Sequence, residues 1–153
     1  MTDDERWMES ALREAEQALK RREVPVGAVV VLNGRIIGKG YNQIETLQDP
    51  TAHAEMIAIT AAAGGLGNRR LEECVLYVTL EPCPMCAGAI VLARIPRLVF
   101  GAYDPKAGAC GTLYNIVRDE RLNHRVDLVG GISAERCGAL LTEFFQKMRG
   151  NGR

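Results

Sequence analysis

Hydrophobic and polar positions follow two periods along this chain, and each change of period marks a new element. Trp7, Met8, Ala11, Leu12, Ala15, Ala18 and Leu19 recur at helical spacing. Thr2-Asp3-Asp4-Glu5 ahead of them has the form of a capping box, and Lys20, Arg21 and Arg22 supply the basic end that suits a helix C-terminus. A first amphipathic helix is predicted. Val26 to Leu32 is then a valine-rich apolar run, Asn33-Gly34 is a two-residue hairpin signal, and Arg35 to Tyr41 returns as the partner strand. After a polar loop from Asn42 to Pro50, Thr51 can cap a helix that includes Glu55, Met56, Ile57, Ile59 and Ala62 and stops at Gly64-Gly65. Those glycines follow no strand and match no phosphate-loop pattern, so a helix stop is the better reading.

Cys74 to Leu80 reads as a strand, Pro82 suits the first turn of a helix running to about Arg94, and Arg97 to Tyr103 reads as the next strand. A strand, helix, strand unit favours parallel pairing. The stretch from Asp104 to Asn123 is a glycine-containing loop with a short helix near Thr112 to Arg118, long enough to return the chain for a further parallel strand at Arg125 to Val129. Ser133 then caps a last helix with Cys137, Leu140, Leu141, Phe144, Phe145 and Met148 on its apolar face. The order of elements predicts an α/β fold, a mixed sheet with helices on both faces.

Composition changes this picture little. At 153 residues, 47% hydrophobic and 25% charged, residues 1–153 fit a single domain with an ordinary core. The acidic start at Met1 to Glu5 is unlike a secretory signal, no apolar run approaches a membrane span, and an odd count of five cysteines suits a reducing cytoplasm. Formal net charge is zero, from 19 basic and 19 acidic residues, so any nucleic-acid binding must come from local patches. Candidates are Arg94 with Arg97, then Arg118, Arg121 and Arg125, and finally Lys147, Arg149 and Arg153; acids such as Asp119, Glu120 and Asp127 interrupt them. By composition alone these are solvated surface.

Chemistry enters with His53-Ala54-Glu55 and Pro82-Cys83-Pro84-Met85-Cys86. An open catalytic zinc site takes three protein ligands and leaves a fourth position for water, and one His with two Cys is an attested set. Three other readings compete. A lone histidine is often a satisfied polar group, and a Cys-x-x-Cys is often a redox pair. A structural zinc site would need a fourth ligand, for which His124 is the other histidine available. Cys74, Cys110 and Cys137 stand alone and read as small buried apolar residues. The redox reading leaves His53 and Glu55 without a role, whereas zinc uses all four residues. Cys83 and Cys86 at i and i+3 of a helix start put both sulfurs on one side, where the helix dipole favours thiolates. Glu55 then serves as proton carrier beside the water, with a first-turn acid as its structural alternative.

His-x-Glu followed by Pro-Cys-x-x-Cys is similar to the zinc nucleobase and nucleoside deaminase signature. Glu23 to Val29, Tyr41-Asn42, Asp49 to Glu55, Leu76 to Cys83, Met85 to Ala89, Val99 to Ala102 and Leu122 to Arg125 further resemble the bacterial tRNA adenosine deaminases. The resemblance covers nearly the whole chain. It implies a three-layer α/β/α sandwich with a five-stranded mixed sheet of the cytidine deaminase-like type. It implies conversion of adenosine to inosine at the wobble position of a tRNA anticodon, by attack at C6, in a cytoplasmic homodimer with one Zn2+ per subunit. It also gives roles to single residues: Asn42 hydrogen-bonds the base, Val26 and Leu80 wall the pocket, and Asp104, Lys106, Phe145 and Arg149 meet the anticodon stem-loop. Residue chemistry alone also allows Asn42 as a turn residue, the Phe144-Phe145 pair as core and Arg149 as a solvated helix end. Two rival functions share the zinc residues: a deaminase of a free base or nucleoside, and a non-catalytic zinc partner subunit, which would be expected to lack Glu55.

Overall fold

The computed structural model describes residues 1–151; Arg153 of the C-terminal basic group lies outside the described residues. In chain order the elements are α1 (Asp3–Lys20), β1 (Gly27–Leu32), β2 (Arg35–Tyr41), α2 (Ile44–Leu47), α3 (Ala54–Leu66), β3 (Val75–Leu80), α4 (Pro84–Leu92), β4 (Arg97–Ala102), β5 (Asp127–Val129) and α5 (Ala134–Asn151). The strands form one sheet in the order β2-β1-β3-β4-β5. β1 runs antiparallel to β2 and β3, while β3, β4 and β5 run parallel, so the expected mixed sheet is found.

Period-2 alternation assigns the two faces. Ala28, Val30, Leu76, Val78, Leu98 and Phe100 join the core formed with Ala54, Ala58 and Ala62 of α3 and Ala87 and Ile90 of α4. Val29, Val31, Tyr77 and Val99 point the other way, against Met8, Ala11 and Leu12 of α1 and Cys137 of α5. The result is a three-layer sandwich, with α3 and α4 together on one face. α1 is tied to the sheet by a bidentate pair from Arg97 to Asp4 at 2.8 and 2.9 Å, with the Tyr77 hydroxyl donating to the same carboxylate at 2.8 Å.

The predicted capping box closes, with Glu5 N–H donating to Thr2 Oγ1 and Thr2 N–H donating to Glu5 Oε1. Asn33 and Gly34 take φ of 48° and 73°, as a hairpin turn of the favoured hand requires. Several predicted boundaries move. Thr51 does not cap α3, because its hydroxyl and N–H are both spent on Asp49; His53 is the N-cap. Gly64 and Gly65 do not stop α3, which runs on to Leu66 and is capped by Gly67, where φ becomes 65°. α4 begins at Pro84, with Cys83 as N-cap, so Pro82 lies outside it, and it ends at Leu92, since Arg94 has φ of 61°. The short helix expected at Thr112 to Arg118 is one 3-10 turn over Ile116–Arg118. β5 is shorter than expected at its start, and Ser133 takes φ of 55° instead of the extended backbone of a side-chain N-cap. Among the described residues no helix is long and apolar enough to cross a membrane.

Candidate metal centre and substrate cleft

Two helix N-termini converge on one point. His53 is the N-cap of α3, Cys83 is the N-cap of α4, and Cys86 lies in the first turn of α4. Glycines in β2 allow the approach. A Cβ on Gly40 would meet the Ala54 carbonyl oxygen at 2.6 Å, so only a glycine lets the start of α3 lie this close to the sheet.

His53 Nδ1 stands 3.6 Å from Cys83 Sγ and 3.5 Å from Cys86 Sγ. The three ligating atoms all lie within 4.8 Å of one another. Zinc bonds of roughly 2.3 Å to sulfur and 2.0–2.1 Å to nitrogen, at a tetrahedral angle, set nitrogen and sulfur about 3.6 Å apart. The group therefore fits a zinc ion, and it is the one such His/Cys/Asp/Glu cluster among the described residues. His124 lies elsewhere, its Nε2 2.7 Å from the Ile95 carbonyl oxygen, so it supplies no fourth ligand. Cys74, Cys110 and Cys137 are buried free thiols, as expected.

Charge at the centre is uneven. A hydrogen bond from Cys86 holds the Cys83 thiol down at about 4, against the desolvation that would raise it. The same hydrogen bond, with burial, pushes the Cys86 thiol far above the ordinary thiol range. Two sulfurs at this distance cannot both ionise cheaply without a cation between them. Contact with Cys83 raises the His53 imidazole. Glu55, 4% exposed in the first turn of α3, is pushed up by burial to about 7. A carboxyl titrating near neutrality is suited to both taking and returning a proton.

The centre opens into a cleft of about 210 Å³ lined by Val24, Val26, Asn42, Leu80, Glu55 and Asp104 among others, with His53 and Cys83 in its wall. Asn42, Val26 and Leu80 are thus gathered around the centre. The buried Asn42 amide donates to the Val24 carbonyl and accepts from the Ile44 N–H, both at 3.3 Å, so its turn-forming role is also realised. An amide has two donors and two acceptor sites, so one of each is left for a ligand. A second cleft of about 600 Å³ shares Val24, Leu80 and Asp104 with the first and continues along Lys106, Phe145 and Arg149. The paired phenylalanines divide: Phe144 is core and Phe145 is 45% exposed. Glu81, Val24, Ile44 and Ala107 line the first cleft without having been anticipated from the sequence. Glu81 could have been suspected, as an acid directly after an apolar strand and two residues before Cys83.

The chain matches the MafB19-like deaminase family over residues 2–149. It is 52% identical over 149 residues to the tRNA-specific adenosine deaminase of Bacillus subtilis, covering 97% of this chain and 92% of that one. The enzyme of the same name from Aquifex aeolicus is 49% identical, covering 96% and 97%. A solved structure from a study of A-to-I editing by tRNA:A34 deaminases superposes with a TM-score of 0.84 at 46% identity, covering 88% of this chain and 97% of the other. With the deaminase fold and an open His-Cys-Cys centre beside a buried glutamate, this protein belongs to the MafB19-like deaminase family, in its tRNA-specific adenosine deaminase branch.

Proposed function

We propose that this protein converts adenosine to inosine at the wobble position of a tRNA anticodon, consuming water and releasing ammonia. The observation that carries the reading is Glu55, a buried carboxyl lining the same cleft as His53 and Cys83, in a chain this similar to tRNA-specific adenosine deaminases. His53, Cys83 and Cys86 would hold one zinc ion per subunit, and zinc when bound supplies a water whose pKa falls to about 7. Glu55 takes one proton from the attacking water and delivers it to the purine ring nitrogen, then takes the proton of the new C6 hydroxyl and gives it to the amine, which leaves C6 as ammonia while the C6 carbonyl forms. Val26 and Leu80 exclude bulk water around the base, and the free donor and acceptor of Asn42 face its polar edge.

A base stacked in an anticodon loop must turn outward to enter such a cleft. Its flanking nucleotides would lie along the second cleft, where the exposed ring of Phe145 offers a stacking face and Lys106 and Arg149 offer phosphate contacts. The protein acts as a homodimer in this reading; Leu92, Leu113 and Tyr114, each more than half exposed, are side chains that a second copy could bury. Its free thiols suit the cytoplasm. The test is to incubate the zinc-loaded protein with total tRNA and sequence the product, reading inosine as guanosine at each anticodon. Ammonia released from a free base or nucleoside, with no inosine in tRNA, would overturn the substrate assignment.

A further inference from the structure

Two buried carboxylates, Glu81 in the lining of the first cleft and Glu23 next in sequence to its lining residue Val24, make no hydrogen bond to the His-Cys-Cys centre. Glu81, 2% exposed, accepts through Oε1 from the Asp104 N–H at 3.0 Å and from the Thr112 hydroxyl. Its Oε2 accepts from the N–H groups of Cys110 and Thr112, each at 3.1 Å. All four donors are neutral and all lie on one irregular loop. Glu23, 1% exposed, holds the short helix α2, accepting from the Glu45 N–H at 3.1 Å and the Thr46 N–H at 2.6 Å. Every hydrogen bond that the two carboxylates make is an accepted one, so both serve as acceptors for the segments above them.

Both tethered segments carry or adjoin cleft residues. Asp104 and Ala107 enter the first cleft from the loop that Glu81 holds, and Pro105 and Lys106 of that loop line the second. Asn42 and Ile44 flank the segment held by Glu23. Gly108 is part of the fit, since a Cβ there would stand 2.5 Å from the Glu81 carboxylate. Backbone bonds such as Gly108 N–H to the Asp104 carbonyl and Ala109 N–H to the Pro82 carbonyl help shape the Asp104–Thr112 loop, and the N–H groups of Asp104, Cys110 and Thr112 are left to the Glu81 carboxylate.

We propose that Glu81 is a positioning residue whose carboxylate, through the Asp104–Thr112 loop, holds the RNA-facing wall in its binding-competent shape, with Glu23 as the matching tether beside Asn42. The proposal rests on the tRNA reading above. Glu81→Gln probes it asymmetrically. At the Oε2 position an amide NH2 would face two N–H donors, whereas at the Oε1 position the Thr112 hydroxyl can rotate to accept. The variant thus keeps Cys110 and Thr112 and releases Asp104.

The experiment is steady-state deamination of an anticodon stem-loop RNA by zinc-loaded wild-type and Glu81→Gln protein, with zinc content and amide hydrogen exchange measured on both. The expected result is a KM about tenfold higher with kcat within about twofold, the scale on which losing one charge-assisted hydrogen bond depopulates a competent state. Zinc content stays unchanged, and exchange at the Asp104 amide accelerates while Cys110 and Thr112 remain protected. A general structural role would instead lower kcat and zinc together. That result, or a wild-type KM, overturns the proposal. Should Glu81→Gln fail to fold, Thr112→Val removes only the hydroxyl donor and is expected to raise KM about threefold; an unchanged KM there is equally contrary. Wild-type protein that makes no inosine in the stem-loop overturns the activity assignment itself, a separate failure from an unchanged variant.

Discussion

Gly40→Ala isolates how closely the start of α3 must approach the sheet. The new Cβ would meet the Ala54 carbonyl oxygen at 2.6 Å, Ile57 Cβ at 2.8 Å and the Ala58 nitrogen at 2.9 Å, where ordinary contact begins at 3.4 Å. Two of the three are backbone atoms, so no rotamer change relieves the overlap; α3 must retreat from β2 by about 0.8 Å at this point. Overpacking of this kind costs about 1–3 kcal/mol, or roughly 3–10 °C in Tm for a domain of this size. His53 and Glu55 travel with that end of the helix, and a misplacement approaching 1 Å can cost about a hundredfold in kcat. Gly64→Ala on the same helix is the control. It is exposed, has nothing within 4 Å of its would-be Cβ, and should gain about 0.5–1 kcal/mol from helix propensity with activity unchanged. Differential scanning fluorimetry and inosine formation on an anticodon stem-loop measure both variants. A Gly40→Ala protein with wild-type Tm and kcat would refute the reasoning that close packing of α3 sets the geometry of the centre.

The Arg97 guanidinium beside Asp4 lowers that carboxyl below its ordinary 3.8, so this pair's contribution to stability is present above that pH and is lost as pH falls through the lowered value. Asp4→Asn should therefore remove about 1 kcal/mol at pH 7, after allowance for its partial exposure, and flatten the fall of Tm with acid in a pH-dependent melting series. Cys86→Ser should lose most bound zinc, measured by atomic emission on dialysed protein, whereas Cys110→Ser, buried away from the cluster, should keep it. A strong chelator should lower the Tm of wild-type protein and leave that of Cys86→Ser unmoved, since only the former has metal to give up.

What the sequence could reveal was local. Cys83 and Cys86 announce themselves by i, i+3 spacing, and Asn33-Gly34 by its turn chemistry, because each signal lies within a few residues. Boundaries failed where two neighbouring residues could satisfy the same rule. Pro82 and Pro84 both suit a helix start, and Thr51 and His53 both precede the same apolar run; tertiary contacts chose between them. The expected helix at Thr112 was displaced because Glu81 takes both the N–H and the hydroxyl of Thr112. Glu81 stands out in the sequence only by its place before Cys83; its hold on the loop was illegible because its partners stand 23 to 31 residues away. No periodicity in the chain encodes that distance.

Whether His53, Cys83 and Cys86 hold zinc while Glu55 carries the proton is decided by zinc content and inosine formation of Glu55→Ala, measured on one preparation. About one zinc per chain is expected, as in wild type, with inosine formation reduced by a factor on the order of 10²–10⁴. Full activity would remove Glu55 from the reaction, and loss of zinc with the side chain would make Glu55 part of the metal site instead of its proton carrier.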